Sequence, residues 1–209
     1  MMDIPSKGTA LLVVDVQNDF CAADGLMGRY GADLSAIDPA VGRIGRLAEA
    51  ARGAGVPVIF IRLITSPHTD SKAMLAFFAR QGIDESGAAI CRAGTTGADY
   101  YRLFPAEGDY VVDKQRYSAF IGTNLELTLR HLGVDKLVVT GVSTECCVES
   151  TVRDGFMLDY ETFVVEDACA AYERELHDIS LRLMRLNFAT VATTADVLNG
   201  WTAGKGAPV

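Results

Sequence analysis

Six short apolar runs, spaced between longer stretches of helical pattern, constrain this chain more than any other feature. They are "ALLVVD" (10–15), "VPVIFIR" (56–62), "DYVVD" (109–113), "KLVVTG" (136–141), "ETFVVED" (161–167) and "ATVATT" (189–194). None alternates polar with apolar residues, as a strand wetted on one face would, so each predicts a strand covered on both faces in a parallel sheet. Between them, "PAVGRIGRLAEAARGAG", "TNLELTLRHLG", "TECCVESTVRDG" and "ERELHDISLRLMRLN" place apolar residues at helical spacing and mostly end in Gly or Asn. This alternation predicts a three-layer αβα fold around a six-stranded, mostly parallel, doubly wound sheet with right-handed crossovers. The 209 residues suit one domain, 1–209, long enough to bury about 70% of the unfolded surface without disulfide staples. Residues 63–108 are the least regular, with a helix expected over "SKAMLAFFARQG" and a Gly-rich stretch after it, and they predict a cap or an oligomer contact. The tail "GWTAGKGAPV" is expected to fray.

Composition narrows the function classes. Lys and Arg number 19 against 27 Asp and Glu, a net charge of −8, which argues against nucleic acid, whose phosphates need clustered cations. The five cysteines are odd in number and scattered. No signal-peptide pattern opens the chain, and no apolar run approaches the ~18 residues of a membrane span. The expectation is a cytoplasmic protein with reduced thiols, no membrane contact and no nucleic-acid partner. No glycine-rich phosphate loop follows the first strand, so a nucleotide-binding role is a poor reading.

In an open parallel sheet, ligands bind at the carboxyl ends of the strands. There the chain places Asp15 after the first run, Lys114 after the third, and, through Gly141, the pair Cys146–Cys147 after the fourth. With Thr144 as N-cap, Cys147 falls in the first helical turn, where free N–H groups and the helix dipole favour a thiolate and can hold an oxyanion. A nucleophilic thiol needs a proton acceptor. His68 lies in an irregular loop, His131 in a last helical turn and His177 in a surface-patterned helix, so none closes a strand. Asp15 is then the expected base, its proton affinity raised by burial, with Lys114 orienting it and lowering the thiol's pKa.

Three motifs in order, "LLVVDVQNDF", "VVDKQRYSAF" and "VTGVSTECCVESTVRDG", make the chain resemble the isochorismatase-like cysteine hydrolase superfamily over about residues 8–198. The resemblance implies that Asp15, Lys114 and Cys147 are catalytic, with Cys147 the nucleophile and no cofactor. It also implies a cis peptide between Val142 and Ser143, with the N–H groups of Ser143 and Cys147 as the oxyanion hole. Two positions depart from it: Glu145 replaces the usual Asn or Asp, and Cys146 the usual apolar residue, inviting oxidation beside Cys147. Related nicotinamidases hold a metal through an Asp and two histidines. "IRLITSPHTDS" has one histidine and no such spacing, so no metal is expected.

Related isochorismatases without the cysteine cleave a vinyl ether, so Cys147 implies amide hydrolysis instead. "KQRYSAF" followed by "VESTVRDG" is most similar to the amidohydrolases acting on ureides, with ureidoacrylate, biuret, triuret and N-carbamoylsarcosine as their substrates. The expected activity is therefore C–N cleavage in a small ureide or amide through a thioester, releasing ammonia or an amine. The rivals are a nicotinamidase-like or other small-amide hydrolase, and a non-enzymatic thiol sensor on the same fold. Tyr117, Phe120 and Phe20 are expected to wall a small planar pocket, Gln17 and Asn18 to hydrogen-bond the substrate, and Arg116 either to bind a substrate carboxylate or to serve only structure. Relatives are commonly dimers or tetramers, which implies a homo-oligomer.

Overall fold

All six runs form strands of one sheet, and all five pairings between them are parallel. The strands are β1 (Thr9–Val14), β2 (Val58–Leu63), β3 (Tyr110–Lys114), β4 (Lys136–Val142), β5 (Glu161–Ala170) and β6 (Thr190–Ala192). This computed structural model describes residues 4–83 and 89–203. Strand order is β3-β2-β1-β4-β5-β6. The chain therefore winds outward from β1 to β3 and then returns to the other side of β1, leaving a crevice between the carboxyl ends of β1 and β4.

The missing polar alternation has a direct cause in β1, where Leu11 and Val13 enter one apolar layer and Ala10, Leu12 and Val14 the other. Beyond the short helices α1 (Asn18–Cys21) and α2 (Leu26–Arg29) comes α3 (Ile37–Ala54), followed by α4 (Lys72–Arg80) and α5 (Leu125–His131). The remaining helices are α6 (Glu149–Met157), α7 (Arg174–Asn187) and α8 (Thr194–Ala203). Helix α3 buries Ile37, Val41, Ile44, Leu47 and Ala51 at three- and four-residue steps in the first layer, beside Val197 and Trp201 of α8. Leu125 and Leu129 of α5, Val152 of α6, and Leu181 and Met184 of α7 fill the second.

Two expectations change, and a third narrows. The run 109–113 predicts a strand covered on both faces, yet β3 is the sheet edge, with Tyr110 and Val111 exposed. Its apolar valines gave no sign of this, because edge position is set by winding order and not by composition. The tail does not fray from Gly200, since α8 continues through Ala203 and Trp201 is buried; positions 204–209 lie outside the described residues. The irregular excursion after β2 (positions 84–88 of it likewise undescribed) is stitched to the sheet end by bridges Gln17–Tyr100 and Thr65–Arg92. It forms a cap.

Gly141 allows β1 and β4 to come together where the crevice opens. Its φ is 126°, and a Cβ there would lie 2.0 Å from the Val14 carbonyl oxygen, an overlap that only backbone movement relieves. Gly141→Ala is expected to destabilise the fold by roughly 2–4 kcal/mol, read as a lower urea midpoint with an unchanged m-value.

Candidate active site

Asp15 is the first residue beyond β1. Its φ of 52° turns the chain off the sheet axis, a left-handed conformation that Asp tolerates better than most residues. Lys114 closes β3, two strands away, and its long side chain reaches back so that Nζ lies 2.7 Å from Asp15 Oδ2, with both side chains fully buried. The same ammonium donates to Cys147 Sγ at 3.4 Å and to the Arg116 carbonyl at 3.1 Å. Carboxylate, ammonium and thiol, 132 positions apart at the extremes (15 and 147), thus meet at one rim of one sheet.

Cys147 sits in a turn unlike the one expected. Residues Thr144–Val148 form a single wide π turn, entered from Ser143 and followed by α6. The Val142–Ser143 peptide bond is cis. Thr144 does not cap a helix: its hydroxyl meets His177 Nδ1 at 2.8 Å, while Ser180 Oγ donates to the Thr144 carbonyl at 3.2 Å. Helix α7 therefore braces the turn from behind, and His177 works as a scaffold group with its pKa lowered by burial. His68 and His131 remain exposed.

The electrostatics at the thiol run against the pull of the turn's N–H groups. A hydrogen bond with Cys146, followed by burial, pushes the Cys147 thiol well above its ordinary value, and the Lys114 ammonium opposes this without overturning it. Burial raises the pKa of Asp15, opposed by the charge and hydrogen bond of Lys114 and by a hydrogen bond from Cys147. For Lys114, burial favours loss of the proton, but the charge of Asp15 and the hydrogen bonds to Asp15 and Cys147 oppose it, and the pKa is raised. The lysine stays an ammonium, and the carboxylate beside it has the enhanced proton affinity a base needs.

A cavity of about 500 Å³ opens in front of the thiol. Ser143, Cys146 and Cys147 line it together with Gln115, Arg116 and Tyr117. Phe20 lines it too. Three expected substrate contacts lie elsewhere. Gln17 is fully buried, donates through Nε2 to the Leu63 and Ala98 carbonyls (2.9 Å each) and accepts from Leu63 N–H at 2.8 Å. Its amide is saturated by backbone. Asn18 donates to the Thr96 carbonyl at 2.8 Å and faces a separate surface hollow. Phe120 packs against Tyr160, ring centroids 5.8 Å apart, below the sheet end. Arg116 donates through Nη1 to the carbonyls of Thr69 and Gln115.

Two groups carried no readable signal in the sequence. Asp19 is buried and staples two segments, accepting from Leu26 N–H at 3.0 Å and Cys91 N–H at 2.7 Å. Met74 and Phe78 of α4 line the cavity, and only the placement of the excursion brings them there. Among the described residues, no group of three His, Cys, Asp or Glu side chains is placed to hold a metal ion, and no helix is long and apolar enough to cross a membrane.

A doubly wound parallel sheet with a cysteine-bearing turn at its switch point and a buried acid–amine–thiol cluster is the arrangement of a cysteine hydrolase. Residues 9–196 match the isochorismatase domain model, and the chain belongs to that family. It is 35% identical over 198 residues to the ureidoacrylate amidohydrolase RutB of Methylobacterium radiotolerans, covering 90% of this chain and 77% of that one. Its fold superposes on a cysteine hydrolase from Pseudomonas syringae pv. phaseolicola with a TM-score of 0.85 at 29% identity, covering 97% of this chain and 96% of the other. It also superposes on N-carbamoylsarcosine amidase from Thermoplasma acidophilum with a TM-score of 0.69 at 29% identity, covering 89% and 96%.

Because Cys146 is the largest influence holding Cys147 protonated, Cys146→Ala lowers the Cys147 pKa. Alkylation of Cys147 by iodoacetamide at pH 7.5, followed by peptide mass spectrometry, is expected to run about three- to tenfold faster than in the parent.

Proposed function

We propose that the protein is a cysteine amidohydrolase that cleaves a C–N bond of a small ureide or amide through a thioester, with Cys147 as nucleophile, Asp15 as acid and base, and Lys114 as their electrostatic support. The observation that carries this reading is the buried chain from Asp15 Oδ2 to Lys114 Nζ (2.7 Å) to Cys147 Sγ (3.4 Å), facing a cavity large enough for a substrate.

The raised pKa values of the thiol and the carboxylate suit a proton transfer made only as the reaction begins. Asp15 takes the sulfhydryl proton while Sγ adds to the substrate carbonyl carbon, and the carbonyl pair moves onto oxygen. Backbone N–H groups of the 143–147 turn hold that oxyanion. Those of Cys146 and Val148 are bonded to the Ser143 carbonyl at 3.2 Å each; Ser143 and Cys147 are the donors that the family resemblance implies. The tetrahedral species collapses, the C–N bond breaks, and Asp15 returns the proton to the departing nitrogen. Asp15 then deprotonates a water that attacks the thioester, and the sulfur recovers the proton. Lys114 keeps Asp15 in place and offsets negative charge on carboxylate or sulfur throughout; no step calls on a metal.

The ureide side of the substrate class draws on the likeness to RutB and to N-carbamoylsarcosine amidase. Ammonia release from ureidoacrylate, biuret, triuret, N-carbamoyl amino acids and nicotinamide tests it. Cys147→Ser and Asp15→Asn are each expected to lower kcat/KM by at least about 10³-fold; a Cys147→Ser protein as active as the parent refutes the reading.

The pH dependence has a fixed sign. Asp15 must be ionised to accept the thiol proton, and burial lifts its pKa above 3.8. Activity therefore falls as pH drops, with its acid limb above that value, and Lys114→Met moves the limb further upward by removing the cation.

A further inference from the structure

The lining of the cavity is mismatched to a small, wholly polar ureide. Away from the thiol its surface comes from two segments, Phe20, Leu26 and Met27 on one and Met74, Phe78 and Ile83 on the other. The polar groups among them are already engaged. Thr65 Oγ1 donates to the Ile90 carbonyl at 2.6 Å, Thr69 Oγ1 is bonded within the 66–69 turn, and Ser71 Oγ accepts from Met74 N–H. Asp70 is held by both terminal nitrogens of Arg92, at 2.6 and 2.7 Å. Polar side chains on the lining with no such engagement among the described residues are Ser143, Gln115 and Tyr117, close to Cys147 in the lining, and the Tyr30 hydroxyl at the outer wall.

A biuret-like molecule carries donors and acceptors along its whole length, and each one buried without a partner weakens binding. A cavity polar at one end and apolar over the rest selects instead for a molecule built the same way. Helix α4 has no buried residue of its own, although it carries Met74, Leu75, Phe77 and Phe78. Its inner face gains apolar contact when the cavity is filled.

Resting on the hydrolytic reading above, we infer that the substrate is an amide or monosubstituted ureide whose scissile carbonyl is attached to a bulky apolar body, alkyl or aryl. That body is seated against Met74 and Phe78 of α4 and against Leu26 and Met27. The reaction itself is unchanged: water cleaves the C–N bond, giving the apolar carboxylic acid, or the carbamate that decomposes to carbon dioxide and amine, together with ammonia.

Two measurements on the full chain test this. Calorimetric binding to a Cys147→Ala protein, which needs no turnover, compares hexanamide and benzamide with acetamide and biuret. The apolar pair is expected to bind at least tenfold more tightly. Ammonia release by the parent enzyme gives kcat/KM for the same compounds and is expected in the same order. Phe78→Asp and, independently, Met74→Glu, both on a helix with no buried residue, should shrink the hexanamide-to-acetamide ratio to threefold or less. Biuret binding as tightly as hexanamide, or a ratio unmoved by both substitutions, overturns the inference. If the binding order holds while no amide releases ammonia, the inference stands and the hydrolytic reading falls. If ammonia comes from biuret with no apolar preference, the reverse is true.

Discussion

Two opposite charges taken completely out of water organise this molecule. Neither Asp15 nor Lys114 exposes any side-chain surface, and an isolated ion so placed would be penalised by several kcal/mol. Each is therefore tolerable only while the other is present, and that mutual need fixes where β1 and β3 must end relative to each other across the intervening β2. The third member, the Cys147 sulfur, accepts a second hydrogen bond from the ammonium. A stabilising hydrophobic substitute for such a pair is easy to imagine. Its retention here fits a group kept for proton transfer more than for stability.

Support for the cluster comes from every layer of the fold. Gly141 lets β4 approach β1 at the point where the chain leaves for the nucleophile turn. The turn is braced from behind by α7 through Thr144–His177 and through Ser180 on the Thr144 carbonyl. On the cap side, Gln17 ties the end of β2 to the Ala98 carbonyl, and Asp19 ties the start of α2 to Cys91. The reacting atoms are held by rigid elements, while the wall of the cavity is built from the most exposed helix in the cap.

Much of this was legible in the sequence, for reasons that can be stated. The strands showed themselves because burial on both faces removes polar residues, and the site showed itself because strand ends collect ligands, whatever lies between them. Asp15, Lys114 and Cys147 each close or follow such a run. The substrate contacts were less legible. Gln17 and Asn18 follow Asp15 closely and have amides suited to a ligand, but adjacency along the chain does not reveal whether a backbone carbonyl already occupies them. Phe120 follows the Lys114 segment and yet turns under the sheet onto Tyr160. Helix geometry alone also hid two influences on Cys147, the neighbouring sulfur and burial, both of which raise its pKa against the Lys114 ammonium.

The third contact of the Lys114 ammonium is the main-chain oxygen of Arg116, in the strip 115–117 that also borders the cavity. A change in that strip that moves the Arg116 carbonyl therefore disturbs an acceptor of the buried ammonium and the rim of the cavity together. The opposite wall, on α4, carries no buried residue and no bond to those charges.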